Sequence, residues 1–214
     1  MKKYLVLGVL FLLPITVYLF FASGVNHFAK LPVLTRAISE LQEFKTIDGN
    51  TVQFKDHITI LGFFGKNVLA QEANAFNLAH KIYKKNYQFE DFQFIILLPE
   101  GTQSQIDPLK KQLSQIEDTA KWKFVFGSPE AIQNVFTSLQ TDLILNVDSG
   151  SPYVFIIDKE GNLRGRDDDE DLGILYGFDA RDYAEINNKM SDDIKVILAE
   201  YRLELKKYKA NREI

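Results

Sequence analysis

The chain contains no cysteine in 214 residues. There is therefore no thiolate nucleophile, no disulfide framework, no Cys-ligated zinc and no lipid-modified cysteine anchor. Histidine is scarce as well, with only His27, His57 and His80. None of them stands at a metal-ligand spacing such as His-x-x-x-His, so scattered structural or exposed histidines are expected rather than a metal site. A net charge of −4 leaves no basic excess of the kind nucleic acid requires. No Ser/His/Asp grouping and no Gly-rich phosphate loop occurs; Gly62 and Gly65 lack the rest of a nucleotide fingerprint. No cofactor is implied.

What is present begins with an apolar run. After Met1-Lys2-Lys3, residues Tyr4 to Ala22 carry no charge. Nineteen residues at about 1.5 Å each span roughly 28 Å, close to the hydrocarbon thickness of a bilayer. Pro14 lies inside the run, which membrane helices tolerate. The expectation is an N-terminal signal anchor over 1–24, with the transmembrane part at about 4–22. The alternative is a secretory signal cut near Ala22-Ser23-Gly24, which releases the protein. The run exceeds a usual signal h-region, which favours the anchor. Lys2 and Lys3 keep the short N-terminus cytoplasmic, so the rest lies on the extracytoplasmic, periplasmic-type side. No polar face exists in the run to suit a buried core helix.

Residues 25–42 read as a tether lying on or near a domain that occupies 43–214. Phe44 to Phe54, turning at Asp48-Gly49, has the pattern of a β-hairpin. Ile58 to Phe64 and Phe92 to Leu98 are apolar runs of strand length, Trp122 to Phe126 is a short strand, and Tyr153 to Ile157 is another apolar run. Helical periodicity occupies about 68–84, a segment beginning at Asp107-Pro108, a segment capped by Ser128-Pro129-Glu130, and a long stretch over about 182–209. The basic end of that last helix, Leu205 to Lys209, suits a helix C-terminus without any further role. Asp158-Lys159-Glu160-Gly161 reads as a tight turn, and Asp167 to Asp171 as an acidic loop. Strands alternating with helices predict an α/β fold whose central sheet is covered on both faces.

In this order and spacing the chain resembles the thioredoxin superfamily, within it the Sco/SenC and thiol-peroxidase-like branch. The likeness is carried by four segments: the 44–54 hairpin pattern, Ile58 to Phe64 running into a loop and helix, Trp122 to Ser138, and Ser151-Pro152-Tyr153 to Gly161. It covers about residues 43–200. It implies a thioredoxin-like central mixed sheet with helices on both faces, preceded by the hairpin and the transmembrane helix. The family's redox or copper motif falls on Gly65 to Gln71, which here holds no Cys, His, Asp or Glu. Its copper histidine falls on Asp148 to Ser151, where no histidine stands. Copper binding in the family's manner has no soft ligand to use.

The resemblance also implies a cis peptide bond at Pro152, although a proline at the start of a strand is unremarkable in itself. A cis bond would present the Ser151 backbone beside Gly65, Lys66 and Asn67. Those five residues form the candidate partner-binding groove, acting through main-chain hydrogen bonds. Arg164, Arg166, Asp167, Asp168 and Asp169 form a candidate charged patch for a partner. The acidic loop lacks the spacing of an EF-hand, and a solvated loop is expected in preference to a calcium site.

The function expected is that of a non-catalytic, membrane-anchored protein that binds or helps assemble another envelope protein. By resemblance that partner belongs to respiratory-complex assembly. Two alternatives stand beside it. One is an enzyme with a non-cysteine site near Lys66 and Asn67 and near Asp148 and Ser149. The other is a structural envelope protein that associates through its C-terminal helix.

Overall fold

The computed structural model describes residues 2–22 and 30–212. The helix α1 spans Lys2–Ala22 and contains Pro14. The apolar side chains described along it, including Val6, Leu10, Phe11, Leu13 and Tyr18, are exposed. Among the described residues no helix is long and apolar enough to cross a membrane. The alternative of a cut near Ala22-Ser23-Gly24 falls on Ser23 and Gly24, which with His27 lie outside the described residues.

The elements that follow are β1 (Val33–Thr35), β2 (Lys45–Thr46), β3 (Ile58–Phe64), α2 (Glu72–Leu78), α3 (Lys84–Asn86), β4 (Phe92–Pro99), α4 (Ile106–Leu113), β5 (Trp122–Gly127) and α5 (Pro129–Ser138). They continue as β6 (Gly150–Ile157), β7 (Leu163–Arg164), β8 (Arg166–Asp169), β9 (Gly173–Leu175), β10 (Phe178–Asp179), α6 (Tyr183–Glu185) and α7 (Ser191–Arg212). A 3-10 turn at Val68–Gln71 and a π segment at Ala79–Tyr83 join α2 and α3 into the one helix expected over 68–84. A second π segment, Ile186–Met190, joins α6 to α7.

The main sheet runs β1-β7-β6-β3-β4-β5-β2, with β10 also paired to β6. β3, β4 and β5 are parallel and β6 is antiparallel to β3. Parallel neighbours require crossover helices, which α2 and α4 supply. The strand runs are mostly apolar because both faces are covered, with Thr59, Gln93 and Lys123 the polar exceptions in β3 to β5. Alternation sorts them: Ile60, Phe94, Ile96, Phe124 and Ile156 point to a core with α2, α4 and α7. Leu61, Phe63, Ile95, Val125 and Phe155 point to a second core with α5 and the 38–54 segment. The expected cap of α5 forms, the Ser128 hydroxyl accepting from the Ala131 amide at 3.1 Å with Pro129 in the first turn.

Four expectations change. The 44–54 segment is not a two-stranded hairpin. The Asp48-Gly49 turn closes, with Gly49 N donating to Thr46 O and Thr46 N to Asn50 O. The second arm then departs, because Phe54 turns fully into the core and β2 finds the edge of β5 instead. The tether contributes to the domain itself: β1 pairs with β7, and Leu31, Ile38 and Leu41 are buried. The acidic stretch is no open loop, since β8 and β9 pair as a hairpin.

Lastly, no cis peptide bond occurs among the described residues, so Pro152 is trans. The β3–β6 ladder passes from Gly62↔Val154 to Phe64↔Gly150, a register shift that leaves extra residues on β6 around Pro152. A proline has no N–H to give, and a bulge is where a strand asks for none.

Gly127 at the end of β5 receives the ring of Phe44, and a Cβ there would sit 2.5 Å from Phe44 Cε1. Gly127→Ala is expected to cost about 1–3 kcal/mol by displacing that ring. Urea denaturation of the variant checks it, and an unchanged midpoint would mean that Phe44 is not wedged against β5.

Candidate functional site

The site of interest lies where β3 ends. Gly65, at φ +67°, turns the chain out of the sheet, and its Cα face lies against the 146–150 loop. A Cβ there would come within 2.8 Å of Asp148 O and 2.9 Å of Gly150 N, so only glycine fits. The loop is then tied on both sides. Lys66 N donates to Asp148 O at 3.1 Å. The Gln105 side chain bridges the other flank, its Nε2 donating to Lys66 O at 3.0 Å and its Oε1 accepting from Val68 N at 3.1 Å. Asn67 caps the following turn by accepting from Ala70 N.

The facing loop is organised by Asn146. Its Oδ1 accepts from the amides of Asp148 and Gly150, both at 2.9 Å, and its own N–H donates to Gly150 O. Ser149 takes a left-handed φ of +61° within this turn. The Lys66–Asn67 segment thus meets the Asp148–Ser149 segment through a main-chain bond, Lys66 N to Asp148 O. The main-chain groups that meet there are largely spent on one another.

Ser151 is buried, and its hydroxyl accepts from Tyr153 N at 3.2 Å. The carbonyl of Pro152 accepts from Ala180 N at 2.9 Å, and β10 pairs with Tyr153 and Val154. The strand edge expected to receive a peptide beside Pro152 is therefore occupied by the chain's own 178–180 segment. What remains exposed is side chain: Lys66, Asn67 and Asp148, together with Leu69 (50%), Ile144 (82%) and Val147 (98%). Neither Gln105 nor Asn146 stands out by residue type. The turn-forming run Asn146-Val147-Asp148-Ser149-Gly150 is the one sequence signal that marks the second loop.

The five residues of the candidate charged patch do not form a common exposed surface. Arg164 is buried. Its Nε donates to Leu31 O at 2.8 Å, Nη1 to Asp158 at 3.2 Å and Nη2 to Glu200 at 2.7 Å. Burial opposes its charge, but the hydrogen bonds and charges of Glu200 and Asp158 win and hold its pKa above the usual value. Arg166 makes a bidentate pair with Asp193 at 2.8–3.1 Å, which raises the arginine's pKa. Burial pushes the Asp193 carboxyl up against the pull of Arg166. The fork geometry favours the ionised pair.

Asp169 is buried and takes Lys189 Nζ at 2.9 Å. Only Asp167 and Asp168 of the five are exposed. The partners Lys189, Asp193 and Glu200 share one stripe of the C-terminal helix. These charges fasten that helix to the sheet, and sequence spacing gives no hint of pairs 20 to 36 residues apart.

His57 Nδ1 lies 2.9 Å from Lys55 O, and His80 is exposed on the α2–α3 helix. Among the described residues no group of three or more His, Asp or Glu side chains is arranged to hold a metal ion.

No protein-family model matches the chain, and no curated protein sequence matches it. Solved structures do. BsSco, a member of the Sco family of cytochrome c oxidase assembly proteins, matches with a TM-score of 0.54 at 13% identity, covering 78% of this chain and 98% of that one. The fold is thioredoxin-like and Sco-like. An Aquifex aeolicus protein assigned to electron transfer gives a TM-score of 0.51 at 16% identity, over 79% and 98% of the two chains. A Bacteroides thetaiotaomicron protein assigned as a disulfide isomerase gives 0.52 at 12% identity, over 82% and 98%. This chain shares their framework without any cysteine.

The buried Asp169 makes stability depend on pH. Burial alone would raise its pKa. The Lys189 hydrogen bond and the amides of Asp171 and Leu172 outweigh it, and the folded value lies below the ordinary one. The stabilisation is thus present above the unfolded aspartate pKa of about 3.9 and is lost as pH falls through the folded value. Asp169→Asn is expected to flatten the acid limb of the stability–pH curve, measured by urea titration between about pH 5 and pH 3. A variant whose curve parallels the parent's would contradict this.

Proposed function

We propose that the protein is a non-catalytic, membrane-anchored thioredoxin-like domain that binds or helps assemble another envelope protein on the extracytoplasmic side. The observation that carries this reading is the loop at Gly65–Asn67. Where the fold elsewhere hosts thiol chemistry, this chain has no thiol and has tied the loop's backbone to Asp148 and Gln105. A general acid, base or nucleophile needs a free and suitably tuned group. The Asn67 side chain is already a cap and the Gln105 amide a bridge, and the ionisable side chains left there, Lys66 and Asp148, lie exposed to solvent rather than in a closed site. The two segments that meet there carry exposed Leu69, Ile144 and Val147, the kind of apolar side chains a protein partner buries.

The uncharged run from Tyr4 to Ala22 supports the anchor. It extends beyond the residues whose side chains are described, and α1 is helical along all of it. The apolar side chains described along it are exposed, and none of them belongs to either core cluster among the described residues. BsSco's family, named for cytochrome c oxidase assembly, suggests a respiratory-complex subunit as the partner.

A photo-cross-linking residue at position 66 in intact membranes is expected to capture one specific envelope protein. The pair Ile144→Asp and Val147→Asp should lower that capture at least tenfold without unfolding the domain. Capture of nothing at position 66, with specific capture from a probe at Asp168, would overturn the site. The full chain is also expected to show no disulfide reductase activity and no tight Cu(I) binding. A stoichiometric copper complex by titration against a chromogenic chelator would end the non-catalytic reading.

A further inference from the structure

A groove of about 480 Å³ runs between the end of the α2–α3 helix and α7. Its floor is apolar, with Phe89, Leu198 and Leu203 half-buried. Its rim is cationic, with Lys85, Lys195 and Arg202 exposed. Among the described residues no acidic side chain lines it. Asp192 reaches Lys195 at 2.7 Å from outside, in a pair exposed on both sides. A smaller cavity of about 180 Å³ adjoins it, sharing Phe89, Leu198 and Arg202 and ending at the Lys159–Asp91 pair.

The groove also stands close to where the chain must meet a membrane. Glu200, on the same helix, accepts from Leu31 N at 2.6 Å. Nine residue steps separate Leu31 from Ala22, the end of α1. That length of chain reaches at most about 30 Å. Given an anchored α1, the Leu31 end of the domain stays within about 30 Å of the lipid surface. Beyond Leu203 the sequence of α7 adds Glu204 and then Lys206, Lys207, Lys209 and Arg212, a net basic stretch.

From the apolar floor, the cationic rim and the short leash we infer that this groove binds an anionic phospholipid of the anchoring membrane. Phosphate meets Lys85, Lys195 and Arg202, and the first acyl carbons lie on Phe89 and Leu198. Clustered cations beside a membrane anchor favour anionic lipid, and the apolar floor adds the selectivity for a lipid over a bare ion. The inference rests on the membrane-anchored reading above.

The test uses the full chain in neutral detergent, with dioleoyl-phosphatidylglycerol or dioleoyl-phosphatidylcholine added, read by native mass spectrometry. One phosphatidylglycerol per chain is expected to be retained, at least about tenfold over phosphatidylcholine. The triple variant Lys85→Glu, Lys195→Glu, Arg202→Glu should lose it. A control triple, Lys45→Glu, Lys110→Glu, Lys111→Glu, carries the same charge change elsewhere and should keep it. Equal retention of the two lipids, equal loss in the two triples, or displacement by millimolar inorganic phosphate would each overturn the proposal. Alkaline carbonate extraction of native membranes reads the anchor separately. Extraction of the wild-type chain defeats the anchor reading, whatever the detergent assay reports of the groove.

Discussion

One buried guanidinium holds the ends of this domain together. Arg164, at the end of β7, reaches Leu31 at the start of the described domain, Asp158 in the 158–162 turn and Glu200 on the C-terminal helix. Each partner is itself committed. Glu200 uses its other oxygen on Leu31 N, and Asp158 also accepts from the amides of Glu160 and Asn162. A buried ion pair adds little over a well-packed apolar substitute, yet losing one member costs about 3–5 kcal/mol, because the remaining charge stays buried. Arg164 is therefore less a source of stability than a constraint on arrangement. The N-terminal segment, the turn and the last helix fit together in one way or leave a charge unpaired.

The same logic explains the Arg166–Asp193 and Lys189–Asp169 pairs. With Arg164–Glu200 they tie one stripe of the C-terminal helix to β7 and β8. Ile186, Met190, Ile194 and Ile197 bury its apolar face in the core. That helix is consequently part of the fold. Cutting the chain after Asp192 removes Asp193, Ile194, Ile197 and Glu200 at once, so such a truncation reports folding rather than partner binding.

Local chemistry was legible in the sequence and long-range pairing was not. The apolar runs became the central strands, Ser128-Pro129 became a cap and Asp158 to Gly161 became a turn, because each is decided within a few residues. The hairpin failed where Phe54 found a deeper site than a second arm offers. Pro152 is trans and its missing N–H is tolerated at a bulge, which no local pattern reveals. The charged patch dissolved because its arginines pair across the fold: Arg164 bonds to Leu31, 133 residues away. Composition alone indicated that the thiol position was empty. That Gln105 and the Asp148 carbonyl close it depends on loops 37 and more residues apart in the chain.

That closure bears on what an emptied site is for. A thiol loop that had merely lost its cysteines would leave main-chain amides and carbonyls facing water. Here Lys66 N, Lys66 O and Val68 N all have intramolecular partners, and Pro152 O is taken by Ala180. Main-chain groups already bonded within the protein have little to gain from a peptide strand, because exchanging one satisfied hydrogen bond for another yields almost nothing net. Under the proposed reading, recognition at this end comes from side chains, and the exposed ones are Leu69, Ile144 and Val147 beside Lys66, Asn67 and Asp148. An interface of that composition gains from apolar burial, with little dependence on backbone register. The loop's rigidity serves it: residues held by Gln105 and Asn146 lose less conformational entropy on binding than a free loop would.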